Sequence, residues 1–315
     1  MTKEALRHSP VSLSAVILTF NEEIHIERAL SSIRNFTNEI FVIDSFSTDR
    51  TVEIAKTFGA TVLQNKFINQ AKQFQWAMDN APINDDWILR LDADEIIEPD
   101  LAAEIQSKIP NLPSDVVGIN LKRKHIFMDR WVKHGGRYPL VMLRIWRNGH
   151  GRIENRWMDE HIVIWGGHTV TFSGGFADHN LNDLTFFTDK HNKYATREAI
   201  EILNQRLNFA TRDKSVTAQS TSLQTAIKFF IKEHIYNHIP FTISAPLYFL
   251  WRYFFQLGFL DGRSGLVYHF LQGYWYRFLV GSKVMELEKA IAHLSDKHQI
   301  AEELTRLTGH LLTSE

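Results

Sequence analysis

The chain of 315 residues contains no cysteine, and this one absence removes disulfides, zinc–thiolate centres and thiol nucleophiles together. Any metal must sit on oxygen or imidazole ligands. A charge imbalance is also missing: 35 Lys and Arg stand against 36 Asp and Glu, so no global basic field draws the chain onto nucleic acid. Nucleic acid is not expected as a partner. In the aromatic region from Lys228 to Lys283, the longest stretch without a charged residue or histidine runs from Ile239 to Trp251 and contains Pro240 and Pro246. It falls short of the roughly 20 apolar residues a spanning helix needs. No Gly-x-Gly-x-x-Gly follows the first apolar run, which argues against a dinucleotide-dependent dehydrogenase. The charged start, Met1 to His8, lacks a signal-peptide pattern, and a cytoplasmic location is expected.

Short apolar runs alternating with helical patterns fill the first hundred residues, the signature of a parallel sheet wrapped by helices. Strands are expected at Leu13–Leu18, Glu39–Ile43, Thr61–Leu63 and Trp87–Leu91. Asn21 is placed to cap a helix running to Arg34, and Ser47 or Thr48 to cap one that Gly59 stops. From Asp115 to Gly175 the chain is strand-rich, with Gly135-Gly136, Gly149, Gly166-Gly167 and Gly174-Gly175 expected as turns and the sheet extended rather than a new domain begun. Residues Asp183 to Arg206 read as a helix. From Phe229 to Phe278 lie 17 of the 38 aromatic residues, interleaved with Arg252, Arg263 and Arg277, a mixture that suits a membrane interface. The expected organisation is an α/β domain over 1–207, a linker over 208–221, and a helical, aromatic-rich region over 222–315 that docks on membrane.

In sheets of this kind ligands sit outside the carboxyl ends of the strands, where loops converge and helix N-termini present N–H groups. Three carboxylate-bearing loops fall there. Asp92-Ala93-Asp94-Glu95 leaves the fourth strand, and two acids one residue apart can hold a hard divalent cation that also bridges two phosphates. Asp44 closes the second strand and can accept from a uracil N3–H or a ribose hydroxyl. Thr19-Phe20-Asn21-Glu22-Glu23 leaves the first strand, where a base would stack.

Taken in order, Leu18-Thr19-Phe20-Asn21-Glu22-Glu23, Val42-Ile43-Asp44-Ser45-Phe46-Ser47-Thr48-Asp49-Arg50-Thr51 and Leu91-Asp92-Ala93-Asp94-Glu95 resemble family 2 glycosyltransferases of the GT-A fold. Arg144-Ile145-Trp146-Arg147-Asn148-Gly149, Trp157-Met158-Asp159-Glu160-His161, Asp178-His179-Asn180 and Gly258 to Gly265 are similar to the branch that builds lipopolysaccharide cores. The resemblance implies a Rossmann-like, mostly parallel sheet flanked by helices. It implies nucleoside contacts from Thr19, Glu22 and Asp44, a nucleotide contact from Asp92, and Mg²⁺ or Mn²⁺ at Asp94. Lys72 stands near a family helix start that often reads Ala-x-x-Arg-Asn and departs from it; a base or phosphate contact is considered there.

An inverting transfer needs a carboxylate to take the acceptor's proton; Glu160 aligns with the family base, with Asp159 beside it. His179 is a candidate third metal ligand or diphosphate contact, an ordinary hydrogen-bonded histidine being the alternative. Arg144, and Lys190 with Tyr194 four residues apart on one helix, are candidates for acceptor or phosphate contacts. The reading is an inverting, metal-dependent hexosyltransferase working from a UDP-sugar on a hydroxyl of a lipid-linked glycan such as lipopolysaccharide core. It would sit peripherally on the inner face of the cytoplasmic membrane. Its rivals are a nucleotidyltransferase of similar fold, which would carry a glycine- and basic-rich first loop, and a catalytically silent membrane-associated scaffold.

Overall fold

A computed structural model describes residues 11–154, 161–209 and 239–312. The first unit is built on strands β1 (Leu13–Thr19), β2 (Glu39–Asp44), β3 (Thr61–Gln64), β4 (Trp87–Asp92), β5 (Glu95–Ile97), β6 (Val116–Phe127), β7 (Arg130–Val132), β8 (Leu140–Arg147), β9 (Gly151–Ile153), β10 (Ile162–Ile164) and β11 (His168–His179). Its helices are α1 (Ile26–Ile33), α2 (Thr51–Thr57), α3 (Gln70–Asn80) and α4 (Pro99–Lys108). Among the described residues the main sheet runs β3-β2-β1-β4-β8-β6-β11-β5, with β7 alongside β6. The strands β3, β2, β1, β4, β6 and β11 point the same way, and β8, β5 and β7 oppose them.

The four strands expected from the apolar runs are present, each reaching one residue further than expected. Parallel strands covered on both faces need apolar side chains on both. Leu13, Ala15 and Ile17 of β1 pack with Ile26, Leu30 and Ile33 of α1 and Leu101 and Ile105 of α4. On the other face Val16, Ile43 and Ile88 pack with Ala71, Phe74 and Ala77 of α3 and with Trp146.

Three local expectations are corrected. Asn21 does not cap α1: it takes φ 55°, and its side chain accepts from Thr48 N–H at 2.9 Å. Ser47 and Thr48 do not cap α2, whose cap position is Arg50; Ser47 turns back to Asp44. Gly174-Gly175 is not a turn but an irregularity inside β11, where the register with β6 shifts between Thr171 and Gly175. Helix α4 crosses so closely there that a Cβ on Gly174 would lie 2.6 Å from Leu101 Cα. Glu104 of α4 accepts from Ser173 N–H and Gly174 N–H, each at 2.8 Å.

The second unit comprises residues 134–136, 182–209 and 239–312 of the described chain. It contains α5 (Leu184–Leu207), α6 (Phe241–Leu250), α7 (Gly262–His269), α8 (Tyr276–Ile291) and α9 (Lys297–Thr308), with a π-helical turn after α6 at Trp251–Phe255 and another after α7 at Phe270–Trp275. Asp183 caps α5 through Phe186 N–H. Ala199, Ile200 and Leu203 of α5 share a core with Val284, Leu287 and Ile291 of α8 and Ile300 and Leu304 of α9, so α5 packs in this unit although the sequence reading set the end of the first domain at 207. The expected linker lies outside the described residues from 210 onward. Asp261 accepts from the His134 backbone N–H at 2.9 Å and holds the His134 ring at 2.6 Å. No helix among the described residues is long and apolar enough to cross a membrane.

Candidate active site

The site forms where β1, β2 and β4 end side by side. Register pairs Thr19 with Asp44 and Leu18 with Asp92. The first two loops are fastened by main-chain donors: Ser45 N–H to Thr19 O at 2.9 Å, Asn21 N–H to Ser47 Oγ at 2.9 Å, Glu22 N–H to Thr51 Oγ1 at 2.7 Å and Glu23 N–H to Asp49 at 3.0 Å.

Asp44 is fully buried and accepts from four donors: Thr19 Oγ1 at 3.2 Å, Ser47 N–H at 2.9 Å, Gln64 Nε2 at 3.1 Å and the Ser47 hydroxyl. Four donors match the acceptor sites of an ionised carboxylate. Any ligand N–H or O–H must therefore displace one of them. Glu22 is oriented by His25: Leu181 N–H donates to His25 Nε2 at 2.9 Å, which leaves Nδ1 as the donor to Glu22 at 2.6 Å. Lys72 is exposed on the first turn of α3. Its neighbour Gln73 is the buried one, donating to Ser45 Oγ and Asn65 O, each at 3.1 Å.

The acids of the third loop divide. Glu95 is buried; it accepts from Arg144 Nη2 at 2.6 Å and from the Asp92 N–H at 2.9 Å. Arg144 also reaches Asp92 at 3.4 Å, and Arg90 lies 3.8 Å from the same carboxylate. Burial pushes the Asp92 carboxyl up, but Arg144 and Arg90 outweigh it and hold it below the usual range. Burial pushes Glu95 up to about 8, with Arg144 opposing and Asp92 adding to the push. Burial disfavours the Arg144 charge as well, yet Glu95 and Asp92 hold the guanidinium above its ordinary value. Arg144 is 3% exposed, and its Nε and Nη1 have no hydrogen-bond partner among the described residues.

Asp94 accepts from Asn180 Nδ2 at 2.9 Å, and its carbonyl from His179 N–H at 3.0 Å. The ring of His179 lies between Arg28, 3.3 Å from Nδ1, and Asp129, 3.2 Å from Nε2. Arginine only donates, so the imidazole lone pair faces Arg28. A metal on His179 would have to take that place.

The structure thus brings Thr19, Glu22, Asp44, Asp92, Asp94, Arg144 and His179 into the first unit at neighbouring strand ends and loops. Lys190 and Tyr194 are on α5 in the second unit, where Lys190 Nζ stands 5.9 Å from the Tyr194 ring centre. Asp159 and Glu160 lie outside the described residues. Sequence reasoning missed Gln64, Gln73 and Arg90 as partners of this site. Arg90 carried a signal: a cation two residues before Asp92 in a buried strand shares its face.

The model of the family described as "Glycosyl transferase family 2" matches residues 14–178. The chain belongs to this family, and its fold is of the GT-A class: a mostly parallel sheet flanked by helices, followed by an aromatic-rich helical region. An uncharacterized glycosyltransferase of Rickettsia typhi is 43% identical over 94 residues, 30% of this chain and 32% of that protein. The glycosyltransferase SunS from the SPbeta prophage of Bacillus subtilis is 32% identical over 87 residues, 27% of this chain and 20% of that protein. The chain thus spans about a third of the Rickettsia relative's length. Among solved structures, glucosyl-3-phosphoglycerate synthase from Mycobacterium tuberculosis, in complex with Mn²⁺, UDP and glucosyl-3-phosphoglycerate, has a TM-score of 0.29 at 22% identity. That match covers 36% of this chain and 43% of the other.

Proposed function

We propose that this glycosyltransferase is an inverting enzyme that moves a sugar from a UDP-sugar to a hydroxyl of a lipid-linked glycan, lipopolysaccharide core being the acceptor class its later motifs resemble. The observation that carries the reading is the set Thr19, Asp44, Asp92 and Asp94 on the carboxyl ends of three adjacent parallel strands, the place where such sheets bind nucleotides.

In this reading Asp44 exchanges one of its four donors for a nucleoside donor, and Thr19 and Glu22 supply further nucleoside contacts. Asp92, kept ionised by Arg144 and Arg90, serves the nucleotide. Asp94 offers oxygen ligands only, which fits Mg²⁺ or Mn²⁺ and not a thiophilic ion. A bound divalent cation would neutralise charge on the diphosphate leaving group. His179 joins that set where Arg28 releases its ring. Arg144, Lys72, Lys190 and Tyr194 remain candidates for phosphate or acceptor contacts.

Glu160, or Asp159 beside it, takes the acceptor hydroxyl's proton as its oxygen bonds to the anomeric carbon and the bond to the diphosphate breaks. Transfer to a lipid-linked acceptor places the protein peripherally at the inner face of the cytoplasmic membrane. The test is a screen of nucleotide sugars for slow hydrolysis and for thermal stabilisation with Mn²⁺ present. A UDP-sugar should stand out in both, and a flat response to all donors would overturn the reading.

A further inference from the structure

The second unit turns its apolar side outward between residues 239 and 270. Of the fifteen exposed residues in that span only Thr242 and Arg263 are polar. Ile243, Leu247, Trp251, Phe254, Phe255 and Phe259 are all more than two-fifths exposed, Phe255 reaching 74%. The first four recur at helical spacing along α6 and the π-helical turn, so they form one stripe. The same segment buries Ser244, Ala245 and Arg252. Isolated exposed apolar residues are ordinary; a contiguous face of them marks a surface that meets something apolar.

Charge selects the partner. Asp261 is the one acid between Ile239 and Met285, and it is buried against His134. Arg263 is the exposed charge on the face. An apolar, aromatic face that carries an exposed cation and no exposed acid is complementary to an anionic lipid surface. Since no described helix is long and apolar enough to span, such a face lies in the plane of the interface.

We infer that this face, from α6 through the start of α7, is the surface by which the protein sits on an anionic lipid bilayer. It inserts Trp251, Phe254 and Phe255 at the headgroup–acyl boundary and sets Arg263 against lipid phosphate. The inference stands on this unit alone and not on the transfer chemistry.

The experiment is flotation of the full chain with vesicles of phosphatidylethanolamine and phosphatidylglycerol, and with phosphatidylcholine alone. Light scattering of the same sample reports its oligomeric state. The chain should float with the anionic vesicles and much less with phosphatidylcholine. The exposed double substitution Phe254→Ser/Phe255→Ser should lower partitioning roughly tenfold or more, and Arg263→Gln about fivefold on the anionic vesicles. Both variants should keep the wild-type melting temperature and UDP binding in solution, which separates lost docking from lost folding. Wild-type protein left at the bottom of the anionic gradient would overturn the inference. So would a double variant that floats like wild type, or a face that instead closes a soluble dimer dissolved by the substitutions.

Discussion

Asp44 and Arg144 show how single side chains shape the site. Asp44 sits where two loops meet, and its four donors come from β1, β3 and its own turn. A carboxylate that accepts this many bonds holds the two loops in place. Asp44→Asn turns one acceptor into a donor facing donors, and UDP affinity by calorimetry should fall about ten- to a hundredfold. A change under about threefold would remove Asp44 from nucleoside binding. Arg144 is the buried cation between Glu95 and Asp92. Arg144→Ala leaves Glu95 and Asp92 without their shared partner, and denaturant unfolding should show a loss of about 1–3 kcal/mol. A loss below about 1 kcal/mol would mean that the pair does not hold this loop.

At the scale of elements, the junction of α4 with β11 fixes the strand that ends in Asp178 and His179. Burial pushes the Glu104 carboxyl up, but bonds from Gly174, Lys108 and Ser173 outweigh it and hold it below its ordinary value of 4.5. A depressed folded value means that its stabilisation is fully present above the unfolded value and is lost as pH falls through the folded one. Wild-type stability should therefore exceed that of Glu104→Gln at neutral pH. The gap, measured by unfolding at a series of pH values, should close below about pH 4.5. A gap independent of pH would contradict the carboxylate's role. Gly174→Ala drives a methyl into the Leu101 backbone and should cost about 1–3 kcal/mol, checked by the same unfolding.

These elements also mark what the sequence could and could not disclose. Strands β1 to β4 were legible because parallel strands buried on both faces read as continuous apolar runs, and the acids at their ends could be placed by topology alone. The partners of those acids were not. Arg144 reaches Asp92 because β8 returns antiparallel beside β4, a long-range pairing without a local signature. Gly174-Gly175 carries the same dipeptide signal as a turn, and only the close passage of α4 distinguishes an in-strand irregularity from one. The acid pair Asp159-Glu160 rests on motif resemblance.

On the scale of the whole molecule, the chain combines a nucleotide-type sheet whose acids converge at one set of strand ends with a helical unit that exposes an apolar, cation-bearing face. The strand-end acids of the sheet are proposed to form a metal-dependent site for a nucleoside diphosphate. Calorimetric titration of UDP into the full chain, with Mn²⁺ and again with chelator, tests it most directly. Binding with Mn²⁺ should weaken at least tenfold with chelator and equally with Asp94→Asn. UDP binding that is absent, or indifferent to both the metal and Asp94, would contradict it.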